Sequence, residues 1–283
     1  VIRTLAYFQN SCSLNSREPL AAFLAGAQKH GLTPVPDSMN ADAAVIWSVL
    51  WAGRMRGNQQ VYKHYRSENK PVIVIDVGAL VRNVTWKIAV NHVTAQGHYG
   101  HTENLDLDRP AKLGVALRRT VTTAPSVLIC AQHALSLQMQ NFACVEDWIR
   151  LVLAQGRDHT DRPFVVRPHP RSTIRRNLLP SDVVIQDPQK LPDTYDSFDL
   201  GFHHHAVVNH NSGPGIQAAI NGCRPIVDSS SLAAPVGVDW PDLEQPYAID
   251  RDQWLIEISH TEYTVPEMQQ GTWFPRIASY LND

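Results

Sequence analysis

Short β-branched runs alternate along this chain with segments whose apolar residues recur at helical spacing. A chain so ordered must fold as helices layered on largely parallel sheets. Residues 5–7, 43–47 and 71–78 read as strands, and the last of these, PVIVIDVG, is the clearest, ending in an acid and a glycine. Residues 17–30 read as a helix with Leu20, Phe23, Leu24 and Ala27 on one face, closed by Gly31. A more polar helix is expected over 58–69. A second block starts at Ser126, with strands at 127–130, 164–166, 183–185, 206–208 and 225–227 and helices at 145–155 and 216–221. Residues 81–114, rich in Asn, His, Gly, Thr and Asp and without a sustained period, read as a long functional loop.

The expected fold class is therefore α/β, with two Rossmann-like domains facing across a cleft. An N-terminal domain is expected over 1–122 and a C-terminal domain over 123–251. A helical tail, 252–283, is expected to pack back across both. A net charge of −2 gives no global basic footprint, so any nucleic-acid partner must be met by a local patch. Cys12, Cys130, Cys144 and Cys223 form no CxxC pair, which argues against a structural zinc module and a disulfide scaffold. Scattered thiols suit a reducing cytoplasm, and no signal peptide or apolar run of membrane-span length is visible.

The strongest local signal is His210-Asn211-Ser212-Gly213-Pro214-Gly215, between an apolar strand and a small-residue helix. Gly213 and Gly215 allow close backbone approach, Pro214 suits a first helical turn, and free N–H groups beside the Ser212 hydroxyl suit a phosphate. The competing reading is an ordinary strand-to-helix turn capped by Asn211 or Ser212. A second signal is Arg167-Pro168-His169-Pro170-Arg171, directly after the 164–166 strand. Its prolines stiffen a loop at the carboxyl end of a parallel strand, and Arg167, His169 and Arg171 offer donors matched to phosphate oxygens. A solvated basic turn is the alternative.

The RPHPR loop, followed some forty residues later by NSGPGIQAAINGCRPIV, resembles the donor-binding half of bacterial glycosyltransferases of GT-B architecture. Capsular-polysaccharide transferases of the Kdo and sialic-acid type are similar in both elements. The resemblance covers about residues 164–231. It implies that the two loops hold the phosphates of a nucleotide sugar, UDP- or CMP-linked, as co-substrate, with no metal and no bound cofactor. In the first half, IVIDVGALVRNVTWK (73–87) with Asn91, Gly97 and Gly100 looks like phage-encoded proteins, some thought to glycosylate hydroxymethylated DNA bases. That likeness implies a DNA acceptor and a host cytoplasm.

Arg82, Trp86, Lys87, His92, His98, Tyr99 and His101 mix cations with aromatics as an acceptor loop for a flipped base would, and otherwise read as a structured surface loop. Asp76, ending its strand, is the preferred general base, with a turn cap as its plainer reading and His133 and Glu18 in reserve. His203, His204 and His205 point in different directions on a strand and read as a polar strand entrance, not a metal site. Ser229 and Ser230, after the 225–227 strand, could hydrogen-bond a nucleoside. A surface-polysaccharide transferase and a non-catalytic phosphate-binding module are the rival readings.

Overall fold

The computed structural model describes residues 2–121, 123–194, 197–199 and 201–282. The chain forms two compact α/β units, one of residues 1–109 with 256–283 and the other of residues 110–255. The divisions fall at 109/110 and 255/256, whereas the sequence suggested 122/123 and 251/252, and the final segment belongs to unit 1.

The strands run β1 (Thr4–Tyr7), β2 (Thr33–Pro36), β3 (Ala43–Trp47), β4 (Val72–Val77) and β5 (Thr85–Val90) in unit 1. Unit 2 contributes β6 (Val127–Cys130), β7 (Phe164–Arg167), β8 (Val184–Ile185), β9 (Gln189–Lys190), β10 (Phe198–Asp199), β11 (Ala206–Asn209) and β12 (Arg224–Val227). β13 (Glu262–Thr264) returns to unit 1. The helices are α1 (Arg17–Lys29), α2 (Asn58–Ser67), α3 (Arg109–Lys112), α4 (Val145–Arg157), α5 (Gly213–Ile220), α6 (Asp252–Ser259), α7 (Val265–Gln270) and α8 (Phe274–Ile277).

Unit 1 is built on a six-stranded sheet of order β13-β5-β4-β3-β1-β2, parallel from β2 to β4 and antiparallel at β5 and β13. Its main core packs Leu20 and Phe23 of α1 and Met268 of α7 with Trp273 against Leu5, Val45, Ile73, Ile75, Trp86 and Ile88. Phe23 and Trp273 stack at 4.2 Å between ring centroids. α7 starts with a capping box, in which Thr264 Oγ1 accepts from Glu267 N and the Glu267 carboxylate accepts from Thr264 N.

Unit 2 carries an all-parallel sheet of order β12-β11-β6-β7-β8. Counted from its own first strand, the order is 5-4-1-2-3, the Rossmann arrangement, with the direction of winding reversing between β6 and β11. α4 buries Trp148, Ile149, Val152 and Leu153 on one sheet face, against Ile129, Val166 and Val208. α5 covers Leu128, Cys130 and Val207 on the other face through Ala218.

The 81–114 segment is not one long loop. It holds β5, buried at all six positions and in the sheet beside β4. A strand buried on both faces shows no alternation, and Lys87 broke the apolar run that would have marked it.

Candidate functional site

Open parallel sheets take ligands outside the carboxyl ends of their strands, at the point where winding reverses. In unit 2 that point lies between β6 and β11, and the turn read from sequence as a phosphate loop is there. Its polar groups are set from both strands. Asn209, buried at the end of β11, donates from Nδ2 to Cys130 O at 3.0 Å, while its Oδ1 accepts from Ser212 N at 2.8 Å and Ser212 Oγ at 3.2 Å. Asn211 N donates to Gln132 Oε1 at 3.4 Å, and Asn211 Nδ2 donates to Ser230 Oγ at 2.8 Å. Ser230 Oγ in turn donates to Asp228 Oδ1. The turn before α5 is therefore held by Asn209, not by Asn211 or Ser212. Gly215 makes room for packing, since a Cβ there would meet Val227 at 2.9 Å.

Three buried polar atoms in the loops after β6 and β11 have no partner among the described residues: Oδ1 of Asn211, Oγ of Ser136 and Oε1 of Gln138. Each such atom costs roughly 1–3 kcal/mol when left unsatisfied, so together they mark a place prepared for a polar ligand or ordered water. Beside them, the His133 and His169 rings meet edge-on at 5.1 Å. His169 Nδ1 accepts from Arg171 N at 3.1 Å, which fixes the His-Pro loop on the end of β7. His210 stands against Phe142 at 5.6 Å. Burial lowers the pKa of both His133 and His210, keeping both imidazoles neutral near pH 7. Arg171 is exposed, as are Asp228 and Ser229.

The structure thus brings His169, Arg171, His210, Asn211, Ser212 and Ser230 to one sheet edge, together with His133. Arg167 is differently placed. It is buried, and its guanidinium donates to Gln186 Oε1 at 2.8 Å on the β8 side. His203, His204 and His205 precede β11 at the opposite end of the sheet. There His204 Nδ1 lies 2.8 Å from Ser126 Oγ, and burial brings the His204 pKa down to about 4. Asn209, Gln132, Ser136 and Gln138 were not singled out from sequence. The spacing of Asn209 to Ser212, an Asx-type turn, was the one local signal available.

In unit 1, Asp76 ends β4 as expected. Its Oδ1 accepts from Val77 N at 2.8 Å and its Oδ2 from Ser48 Oγ at 3.2 Å. Ser48 has φ 62°, a left-handed conformation uncommon for a residue with a side chain and a form of strain that gathers at functional positions. Burial raises the Asp76 pKa, with the Lys87 charge opposing. Asp76, Lys87 and Glu262 form one cross-strand row over β4, β5 and β13. Glu262 is fully buried and accepts from Ala79 N at 2.6 Å, Leu80 N at 3.1 Å and Thr85 Oγ1 at 2.6 Å.

The expected acceptor residues are dispersed. Trp86 is core, tilted against Trp47 at 5.4 Å, and Lys87 is buried in the sheet. His92 Nδ1 lies 2.7 Å from Thr94 Oγ1 within its own turn. His98 stacks on Tyr280 at 4.3 Å, and His101 lies near the same ring. The Tyr99 hydroxyl is enclosed without a partner among the described residues, and Arg82 is exposed. Among the described residues, no group of three or more His, Cys, Asp or Glu side chains could hold a metal ion. Nor is any helix among them long and apolar enough to cross a membrane.

No family model matches the chain, and no curated protein matches it. Solved structures do. Thermosulfurimonas dismutans KpsC, a β-Kdo 2,4 transferase, is similar at 14% identity over 92% of this chain and 90% of that one, with a TM-score of 0.47. The KpsC β-Kdo 2,7 transferase is similar at 12% identity over 95% and 99%, with the same score of 0.47. The glycosyltransferase SnogD from Streptomyces nogalater follows at 12% identity over 98% and 99%, with a TM-score of 0.26.

Proposed function

We propose that this chain is a glycosyltransferase that holds the phosphates of a nucleotide sugar, UDP- or CMP-linked, at the carboxyl edge of the unit 2 sheet. The observation that carries the reading is the set of orphaned polar atoms on Ser136, Gln138 and Asn211, buried where the Rossmann winding reverses. Arg171 supplies positive charge, the His133–His169 pair ring N–H donors for a leaving phosphate, and Ser212 Oγ a further hydroxyl. Ser229, Ser230 and Asp228 follow β12, in the position for a nucleoside. Gly213 begins α5, where backbone N–H groups face outward. Asp76 is the proposed base, on its own surroundings alone: a carboxylate with a raised pKa beside a strained Ser48. This division of labour gives the metal no role, so transfer is expected to persist in EDTA.

Hydroxymethylpyrimidine DNA, the first acceptor suggested by sequence, has less support than a saccharide hydroxyl. Flipped or single-stranded bases are held by exposed aromatic faces, and here Trp86 is core and Tyr99 has its hydroxyl enclosed. A saccharide acceptor requires no such platform. Steep salt-dependent retention on DNA would reverse that preference. The donor is tested by a thermal-shift panel of UDP-, CMP- and GDP-sugars. One nucleotide class should raise the melting temperature through selective binding to the folded state, and its sugar should appear in a product. A flat panel excludes the reading.

A further inference from the structure

We infer that unit 1 carries an oxyanion site of its own, in the pocket formed by the loops that leave β1 and β3. The unit 1 sheet places β2 on one side of β1 and β3 on the other, so its winding also reverses, between β1 and β3. The crevice outside the carboxyl ends of such a strand pair is where open α/β sheets take ligands. The two loops are tied together at their base. Asn58, fully buried, donates from Nδ2 to Ser11 O at 2.9 Å and to Trp47 O at 2.7 Å. A Cβ on Gly57 would stand 2.9 Å from Ser11 Oγ, so the approach is close. The β1 loop is braced internally: Ser16 Oγ donates to Ser13 O at 2.7 Å, and Cys12 Sγ to Phe8 O at 3.3 Å.

The braced loops border an open pocket of about 110 Å³, with Ser13 and the exposed Gln9, Asn10 and Arg17 on one side and the exposed Arg54 on the other. Small-molecule pockets span roughly 300–1,000 Å³, so a nucleotide sugar does not fit, whereas a single functional group does. The sign of that group follows from the lining, which contains two guanidiniums, two amides and no carboxylate. Neither Arg17 nor Arg54 has a hydrogen bond or ion pair among the described residues. Glu18 follows Arg17 in the helix, and adjacent helical residues do not face each other. Two arginines from separate loops, with amide donors beside them, match the planar or tetrahedral oxygens of one carboxylate or phosphate. The ligand is a small oxyanion or one such group on a larger molecule. This site does not depend on the glycosyl-transfer reading, whose donor edge is in unit 2 and whose proposed base is Asp76.

Hydrogen exchange on the whole chain tests it, with inorganic phosphate, glucose 6-phosphate and sodium chloride at matched ionic strength. Phosphate should slow exchange in residues 8–17 and 52–57, and sodium chloride should not. Half-saturation should shift by roughly tenfold in Arg17→Gln and in Arg54→Gln, the loss of one charged hydrogen-bonding partner, and stay unchanged in Arg171→Gln of unit 2. Tighter protection by glucose 6-phosphate than by phosphate assigns the group to a larger molecule. The reverse order assigns a free anion, and both keep the site. Absent protection, equal protection by sodium chloride, or protection that survives both unit 1 substitutions overturns it.

Discussion

Both units cover a sheet with helices and both leave some buried polar atoms without a partner among the described residues, yet one polar cluster in each is treated differently. In unit 1, the Glu262 carboxylate is answered by two N–H groups and a hydroxyl, and both Asp76 oxygens accept a hydrogen bond. In unit 2, the loops after β6 and β11 leave Ser136, Gln138 and Asn211 with buried atoms unanswered. A satisfied polar network rigidifies and specifies a fold, whereas an unsatisfied one costs stability that a ligand can restore. On the proposed reading, the first cluster holds the fold and the second is kept for binding.

Asp76 is where the contrast is most exposed to failure, because a well-answered carboxylate is here also proposed as a base. Asp76→Asn should lower transfer by on the order of 10²–10⁴ while donor affinity changes little. Near-normal turnover with a normal melting temperature would return Asp76 to the structural side, and His133 would be tested next. Glu262→Ala sharpens the other half. It removes the acceptor of three hydrogen bonds inside unit 1 and should destabilise that unit by about 3 kcal/mol in urea unfolding.

Acid should act through His204 next. His204 has a folded-state pKa near 4, below the unfolded value, so its contribution is fully present above about pH 6.5. That contribution is lost as the pH falls toward 4, because the unfolded chain takes up the proton first. Asp76, raised in the folded state, has the opposite sign: its protonation favours the native form at low pH. Between pH 6.5 and 4 unit 2 should therefore lose stability, by on the order of 2 kcal/mol from His204, and His204→Gln should flatten the profile. A smaller effect is expected at the edge itself. Arg171→Gln removes an exposed charge and should weaken donor binding about fivefold, the modest share of a solvent-screened contact, as read by titration calorimetry.

Much of the sheet framework was legible because parallel strands buried on both faces are written as β-branched runs. The runs at 43–47, 71–78, 127–130 and 206–208 all became strands. What escaped was set by distant partners. β13 is three residues long and exists because β5 offers it an edge, and Glu262 meets Ala79 across 183 positions of sequence. β2, with two prolines, survives as an edge strand, where missing N–H donors are tolerated. At the site, the turn at 210–215 and the His-Pro loop were visible as motifs, but strand order was not. Only the order shows that the loops after β6 and β11 adjoin, bringing Gln132 and Ser136 into play. Arg167 stood out because charge is visible in sequence, whereas its burial and its bond to Gln186 are set by the fold.

The central claim, that donor phosphates rest on the unit 2 edge, is tested most directly by a crystal structure with a bound UDP- or CMP-sugar. The account predicts phosphate oxygens within hydrogen-bonding distance of the 210–213 turn and of His169 or Arg171, with Asn211 Oδ1 or Ser136 Oγ acquiring a ligand or water partner. Phosphates bound away from the carboxyl edge of β6, β7 and β11, with those atoms still unpaired, would contradict it.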